Sequence, residues 1–123
     1  MPKHLSHTDT TVLDTSTGMM WQRMMPTVCY DQNEAKLYAA RLRLGGYTDW
    51  RIPTLRELLR LVHTTKNDQV LGRTVSLPAS YIWTTDREPN SRYAWVIQLK
   101  TCDMICVPTA DDSIGLCCVR YTQ

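Results

Sequence analysis

Five cysteines and three histidines are the side chains in this sequence best suited to nucleophilic or metal chemistry. Thiolates are good zinc ligands, and Cys102, Cys106, Cys117 and Cys118 fall close enough in sequence to raise a zinc site. Neighbours on a strand point to opposite faces, however, so Cys117 and Cys118 are not expected to serve one ion. With Cys29 the count is odd and cannot form a closed disulfide framework. A disulfide or thiol pair between the late loop of Cys102 and Cys106 and the final strand is expected instead. His4 and His7 lie in the terminus, and His63 closes a helical stretch where a cation suits the dipole. None stands at a nucleophile or metal-ligand spacing.

Binding chemistry has more to work with. Two polar loops, 86–92 and about 108–115, separate strand-like segments near the end of the chain. Loops on a rigid scaffold are where binding residues concentrate. Asp86, Arg87, Glu88, Asn90, Arg92, Lys100, Asp103, Asp111 and Asp112 are the polar groups available there, and Trp83 or Tyr93 offers a ring face.

The elements that must position these groups are legible. Val12-Leu13-Asp14 and Met19 to Arg23 read as two strands around a turn, with Gly18 supplying a positive φ. Asp31 and Glu34 have the spacing of a capping box. Ala35, Tyr38, Ala39 and Leu42 follow as one apolar stripe, and Gly45-Gly46 ends that first helix. Pro53 holds Ile52 extended, Thr54 and Glu57 form a second capping box, and Leu55, Leu58, Leu59 and Val62 make the second stripe. Strands follow at 81–85, 93–99 and 117–121. Strands at both ends around two central helices predict an α+β domain with its terminal strands side by side. Residues 1–10 are expected to be a flexible N-terminus and 11–123 a single domain.

Composition excludes some partners. A net charge of +2, from 14 basic and 12 acidic residues, is no footprint for nucleic acid. Arg41, Arg43, Arg56 and Arg60 read as solvated helix faces. No apolar stretch is long enough to span a membrane, so membrane insertion is not expected. The start lacks a secretory signal, which places the protein in the cytoplasm if the chain is complete. An extracellular or virion-associated location follows if a segment was removed or the chain is part of an assembly.

Leu44-Gly45-Gly46-Tyr47-Thr48-Asp49-Trp50-Arg51-Ile52-Pro53-Thr54-Leu55-Arg56-Glu57-Leu58 resembles the bacterial family of domain of unknown function 1566, the collagen-like adhesin (Lcl) C-terminal domain. The resemblance begins at Asp14 to Gln22, continues through Tyr81 to Thr85 and Ala94-Trp95-Val96, and ends at Cys118-Val119-Arg120. Arg51-Ile52-Pro53-Thr54 also looks like a segment of formylglycine-generating-enzyme domains. Together they imply a C-type-lectin-like fold: two helices on a twisted antiparallel sheet, with long binding loops. Arg51 would then need a carboxylate, with Asp49 or Glu57 as candidates.

The resemblance implies a non-catalytic, adhesin-like module that binds carbohydrate such as sulfated glycans through the late loops. A protein-interaction or phage receptor-binding module using the same loops is the alternative. An enzyme of the formylglycine-generating type is a third reading, but Cys102 and Cys106 depart from that family's cysteine pair. Glu88-Pro89-Asn90 is similar to the tripeptide with which mannose-type lectins hold calcium around a cis proline, which makes Glu88 and Asn90 candidate calcium ligands. The partner Trp-Asn-Asp segment of that motif is missing. No other cofactor is implied. Because the charge is modest for a polyanion binder, a homo-oligomer with several weak sites is expected.

Overall fold

The computed structural model describes residues 5–7, 10–23, 26, 29–68, 81–89, 91–98 and 101–122. His4, Asn90, Leu99 and Lys100 lie outside the described residues, as do the side chains of His7, Val62 and His63.

Strands β1 (Leu5–His7), β2 (Thr11–Asp14), β3 (Met19–Gln22) and β7 (Val119–Tyr121) form an antiparallel sheet in the order β1-β2-β3-β7. The N- and C-terminal strands therefore share one sheet, close together as expected, but they are not side by side: β7 pairs with β3, which separates it from β1 and β2. Of the residues 1–10 expected as a flexible terminus, Leu5–His7 run antiparallel to β2. The β2–β3 turn is closed by Asp14, whose carboxylate accepts from the Ser16 N–H and hydroxyl while its carbonyl accepts from the Gly18 N–H at 2.9 Å. Gly18 sits at φ +74°, a conformation glycine adopts without strain.

Helix α1 (Gln32–Arg41) starts with the expected capping box: Asp31 accepts from the Glu34 N–H at 2.7 Å, and Glu34 accepts from the Asp31 N–H at 3.1 Å. Its end differs from expectation. Leu42 already has extended geometry, and Gly45 and Gly46 belong to a separate 3-10 turn, Leu44–Gly46. Leu42 and Leu44 both turn inward onto the core, so the helix stops before its glycines.

Helix α2 (Leu55–Asp68) has the second capping box, with Thr54 Oγ1 accepting from the Glu57 N–H at 3.1 Å and Glu57 accepting from the Thr54 N–H at 2.8 Å. Strands β4 (Tyr81–Arg87), β5 (Tyr93–Gln98) and β6 (Met104–Pro108) form the second antiparallel sheet. The segment that becomes β6 carried no strand expectation.

Alternation sorts adjacent residues into two cores. Met19, Ile82, Ile97 and Cys117 join Trp21, Leu58 and Leu61 in one. Met20, Trp83, Val96 and Cys118 join Ala35, Ala39, Trp50 and Ile52 in the other. Cys117 and Cys118 thus face different cores, as their adjacency predicts. All five cysteines are free, so of the expected disulfide or thiol pair the disulfide is not formed. The reason is local: Cys118 turns into the second core, and the Cys106 thiol turns to the Glu88 carboxylate at 3.6 Å.

Candidate functional site

The β4–β5 hairpin tip, the 108–113 loop and the N-terminus of α1 converge at one end of the second sheet. Thr109 N–H donates to the Arg92 carbonyl at 2.7 Å, Gln32 N–H to the Thr109 carbonyl at 3.0 Å, and Tyr30 N–H to the Ile114 carbonyl at 2.8 Å. This end gathers Arg87, Glu88, Arg92, Asp111 and Asp112. Asp103 lies at the opposite end of β5, about 16 Å away for five residues of strand. The nine candidates are therefore not one cluster, and Asn90 and Lys100 lie outside the described residues.

Several of the loop groups are occupied by the scaffold. β4 carries an irregularity between Trp83 and Arg87 that sets Trp83 opposite Val96 and Arg87 opposite Ala94. The extra residues swing toward α2: the Thr85 N–H reaches the Pro53 carbonyl at 2.9 Å, and Asp86 accepts from the Leu55 N–H at 2.8 Å. Asp86 therefore satisfies an orphan donor at the start of α2. Arg87 Nε donates at 2.9 Å to Gln32 Oε1, and Gln32 Nε2 donates at 2.8 Å to the Thr84 carbonyl. Gln32 is fully buried, so this amide ties the first turn of α1 to the bulged strand. Asp111 closes its own turn through the Ser113 N–H and hydroxyl, and these bonds hold its carboxyl below the usual carboxylate range.

The calcium reading loses part of its geometry. Among the described residues no peptide bond is cis, and Glu88–Pro89 is trans. Among the described residues no three His, Cys, Asp or Glu side chains gather as metal ligands. Glu88 and burial together push the Cys106 thiol up, burial first.

The sequence block Trp50 to Glu57 turns out to be architecture. Glu57 takes Arg51 through two bonds at 2.8 and 2.7 Å, whereas Asp49 takes Arg120. Arg51 is only half-buried, with the Tyr121 ring beside it, and the Arg120 guanidinium lies 3.8 Å from the Tyr47 ring centre. Burial would raise the Glu57 carboxyl, but the Arg51 and Thr54 hydrogen bonds outweigh it and hold it low.

Sequence reasoning missed a concave surface along the outer side of α1. A groove of about 480 Å³ is lined by Tyr30, Glu34, Leu37, Tyr38, Arg41, Leu42 and Arg43. Its size falls within the usual range of small-ligand pockets. The Tyr30 and Tyr38 rings lie 5.6 Å apart at a 42° tilt. Gln22 donates to the Tyr38 hydroxyl oxygen at 3.1 Å, which leaves that O–H proton for another acceptor. Leu37 is 48% exposed beside these rings. Arg43 braces the helix end through the Ala40 and Leu42 carbonyls. Tyr30 also anchors the late loop through Ile114, so groove and loop end share a border. Burial first, and the neighbouring Arg87 cation second, lower the Lys36 ammonium.

Two helices and two small antiparallel sheets, with the N- and C-terminal strands in one sheet and loops open at one end, make this a C-type-lectin-like fold. Solved structures agree: botrocetin matches with a TM-score of 0.55 at 7% identity, covering 98% of each chain. A chain from the complex of botrocetin with a mutant von Willebrand factor A1 domain matches with a TM-score of 0.54 at 8% identity, again over 98% of both. The Lcl C-terminal domain family matches residues 10–120, and the chain belongs to that family. No curated protein matches it significantly.

Proposed function

We propose that this domain is a non-catalytic recognition module for carbohydrate bearing acidic groups, sulfated glycans first, held in the α1 groove and extending over the late loops. The observation that carries the reading is the groove itself: two tyrosine rings and Leu37 beside the Arg41 and Arg43 cations and the Glu34 carboxylate. Aromatic rings offer sugar C–H faces an apolar surface, arginine forks pair with sulfate or carboxylate, and Glu34 can accept from hydroxyls. Holding a ligand is the chemistry that these groove side chains support. Arg87 and Arg92 carry positive charge on toward the hairpin tip.

The test is a glycan array that includes sulfated glycosaminoglycans, read with calcium and with chelator. Calcium-independent binding that weakens with salt is expected. Arg41→Ala should weaken it about tenfold, the worth of one charge-assisted hydrogen bond. A calcium-only signal would instead make Glu88 and Asn90 the ligands and move the site to the hairpin tip.

One observation favours a protein partner as the second reading. Leu37 is a large apolar side chain left half-exposed in the groove lining, and botrocetin is a protein of this fold found in complex with a protein domain. A blank array under both conditions would favour this reading.

A further inference from the structure

The outer edge of β6 is a strand template of unusual self-compatibility. β6 is the last strand of the order β4-β5-β6, and among the described residues nothing pairs with its far side. The other edge of this sheet is covered, since the Trp83 and Thr85 N–H groups bond to Gly115 and Pro53. Exposed strand edges are normally blunted by lysine, a bulge or covering chain. β6 reads Met-Ile-Cys-Val-Pro, has no charge, and has only Pro108 at its end.

The backbone phase follows from the register. Gln98 N–H bonds to the Asp103 carbonyl and Thr109 N–H to the Arg92 carbonyl, with Val96 opposite Ile105 and Ala94 opposite Val107. Hydrogen-bonded and non-bonded pairs alternate along an antiparallel ladder, so Asp103, Ile105, Val107 and Thr109 face β5. Met104 and Cys106 direct their N–H and C=O groups outward. Pro108 has no N–H, and its carbonyl already accepts from Asp111. The outward set is therefore two residues, symmetric about Ile105. Met104 and Ile105 are 45% and 41% exposed.

We propose that β6 is a homodimer interface, in which two copies of this chain pair β6 antiparallel about a two-fold axis at Ile105 and join their sheets into one of six strands. In that register Met104 of each copy exchanges two hydrogen bonds with the partner's Cys106. Ile105 meets the partner's Ile105 in the close, non-bonded pair between them. The absence of charge means that no like charges are opposed when the strand meets itself. An uncharged edge with two outward residues can meet an identical edge with all four groups on each side paired, and a second copy is the occupant assigned to it. A five-residue edge covers less than the roughly 800 Å² per partner of a stable interface, so the dimer is weak and concentration-dependent. It would nonetheless set two grooves on one particle and raise avidity for a repetitive ligand. The inference rests on backbone geometry and stands apart from what the groove binds.

Sedimentation velocity over a concentration series tests it. The expected result is a monomer that shifts to dimer as concentration rises. Ile105→Lys, which sets two ammonium groups face to face, should weaken dimerisation at least about tenfold. Met104→Pro removes an outward donor without touching the β5 ladder and should act likewise. Circular dichroism of both variants verifies the fold. Ile105→Cys provides an independent readout, because the non-bonded pair spacing of about 4.5 Å lies within disulfide reach. Mild oxidation should give a covalent dimer linked at position 105, mapped by mass spectrometry. A monomer at every concentration, a dimer indifferent to both substitutions, or cross-links only elsewhere would overturn the proposal.

Discussion

Replacing Gln32 by leucine isolates what holds the binding end together. The side chain is fully buried and joins three elements: its own helix, the Thr84 carbonyl of the bulged strand at 2.8 Å, and Arg87 at 2.9 Å. Leucine fills about the same space but donates and accepts nothing. The Thr84 carbonyl is buried, and leaving a buried acceptor unmet costs about 1–3 kcal/mol. Arg87 is exposed and regains water, so its loss adds little. A net cost of about 2 kcal/mol is expected, which at this chain length lowers Tm by about 8 °C. Arg87→Ala alone should cost about 1 kcal/mol, because the buried Oε1 then loses its donor. In the double variant that second loss should vanish, since leucine has no oxygen left to satisfy. Chemical denaturation of wild type, both singles and the double gives all four corners. A Gln32→Leu cost below about 0.5 kcal/mol, or strict additivity, would refute the bridge.

Three further outcomes follow from the same geometry. Asp86→Ala should destabilise the fold by about 1 kcal/mol through loss of its bond to the Leu55 N–H, measured by urea denaturation; unchanged stability would return Asp86 to the pool of ligand residues. Glu57, Asp49 and Asp111 all have carboxyls held below their ordinary values, so their contribution is complete above about pH 4–4.5 and is lost as pH falls through the folded values. The urea midpoint should therefore drop on acidification, and Glu57→Gln, which removes one titrating group, should flatten that profile. Burial pushes the Cys118 thiol up to about 12 and the Cys117 thiol well above its usual value, so neither should be alkylated by iodoacetamide at neutral pH until denaturant is added. Native-state labelling at either position, read by mass spectrometry, would contradict the packing.

What the sequence disclosed depended on the range over which each interaction acts. Both capping boxes were legible because Asp31–Glu34 and Thr54–Glu57 are three residues apart and need no tertiary information. Arg51 was legible as needing a nearby carboxylate, but the choice between Asp49 and Glu57, six residues on, came only with the structure. The Arg120 bond to Asp49 spans 71 residues and the Gln32 bond to Thr84 spans 52, distances at which chain order says nothing about proximity. Strand β6 escaped notice because Met-Ile-Cys-Val-Pro is a short apolar run with no apolar–polar alternation to read. The groove escaped because Arg41 and Arg43 read as a solvated face. Leu37, standing outside the stripe of Ala35, Tyr38, Ala39 and Leu42, was the residue that could have betrayed it.

The fate of the loop charges shows how much of the loop polarity the scaffold itself uses. A late loop must turn sharply, and every turn leaves backbone donors that something has to satisfy. Asp86 does so for α2 and Asp111 for its own turn, while Arg87 completes the hydrogen bonding of a buried amide. These polar side chains are conspicuous in the sequence, and each already has one bond committed to the scaffold. Tyr38 shows the reverse case, since Gln22 occupies its oxygen and leaves its proton free. A ligand is therefore expected where apolar rings and partly engaged polar groups meet, along α1, with Glu88, Arg92 and Asp112 forming the border rather than the centre. Binding lost with Arg41→Ala but kept with Asp112→Ala would distinguish that arrangement from a site centred on the loops.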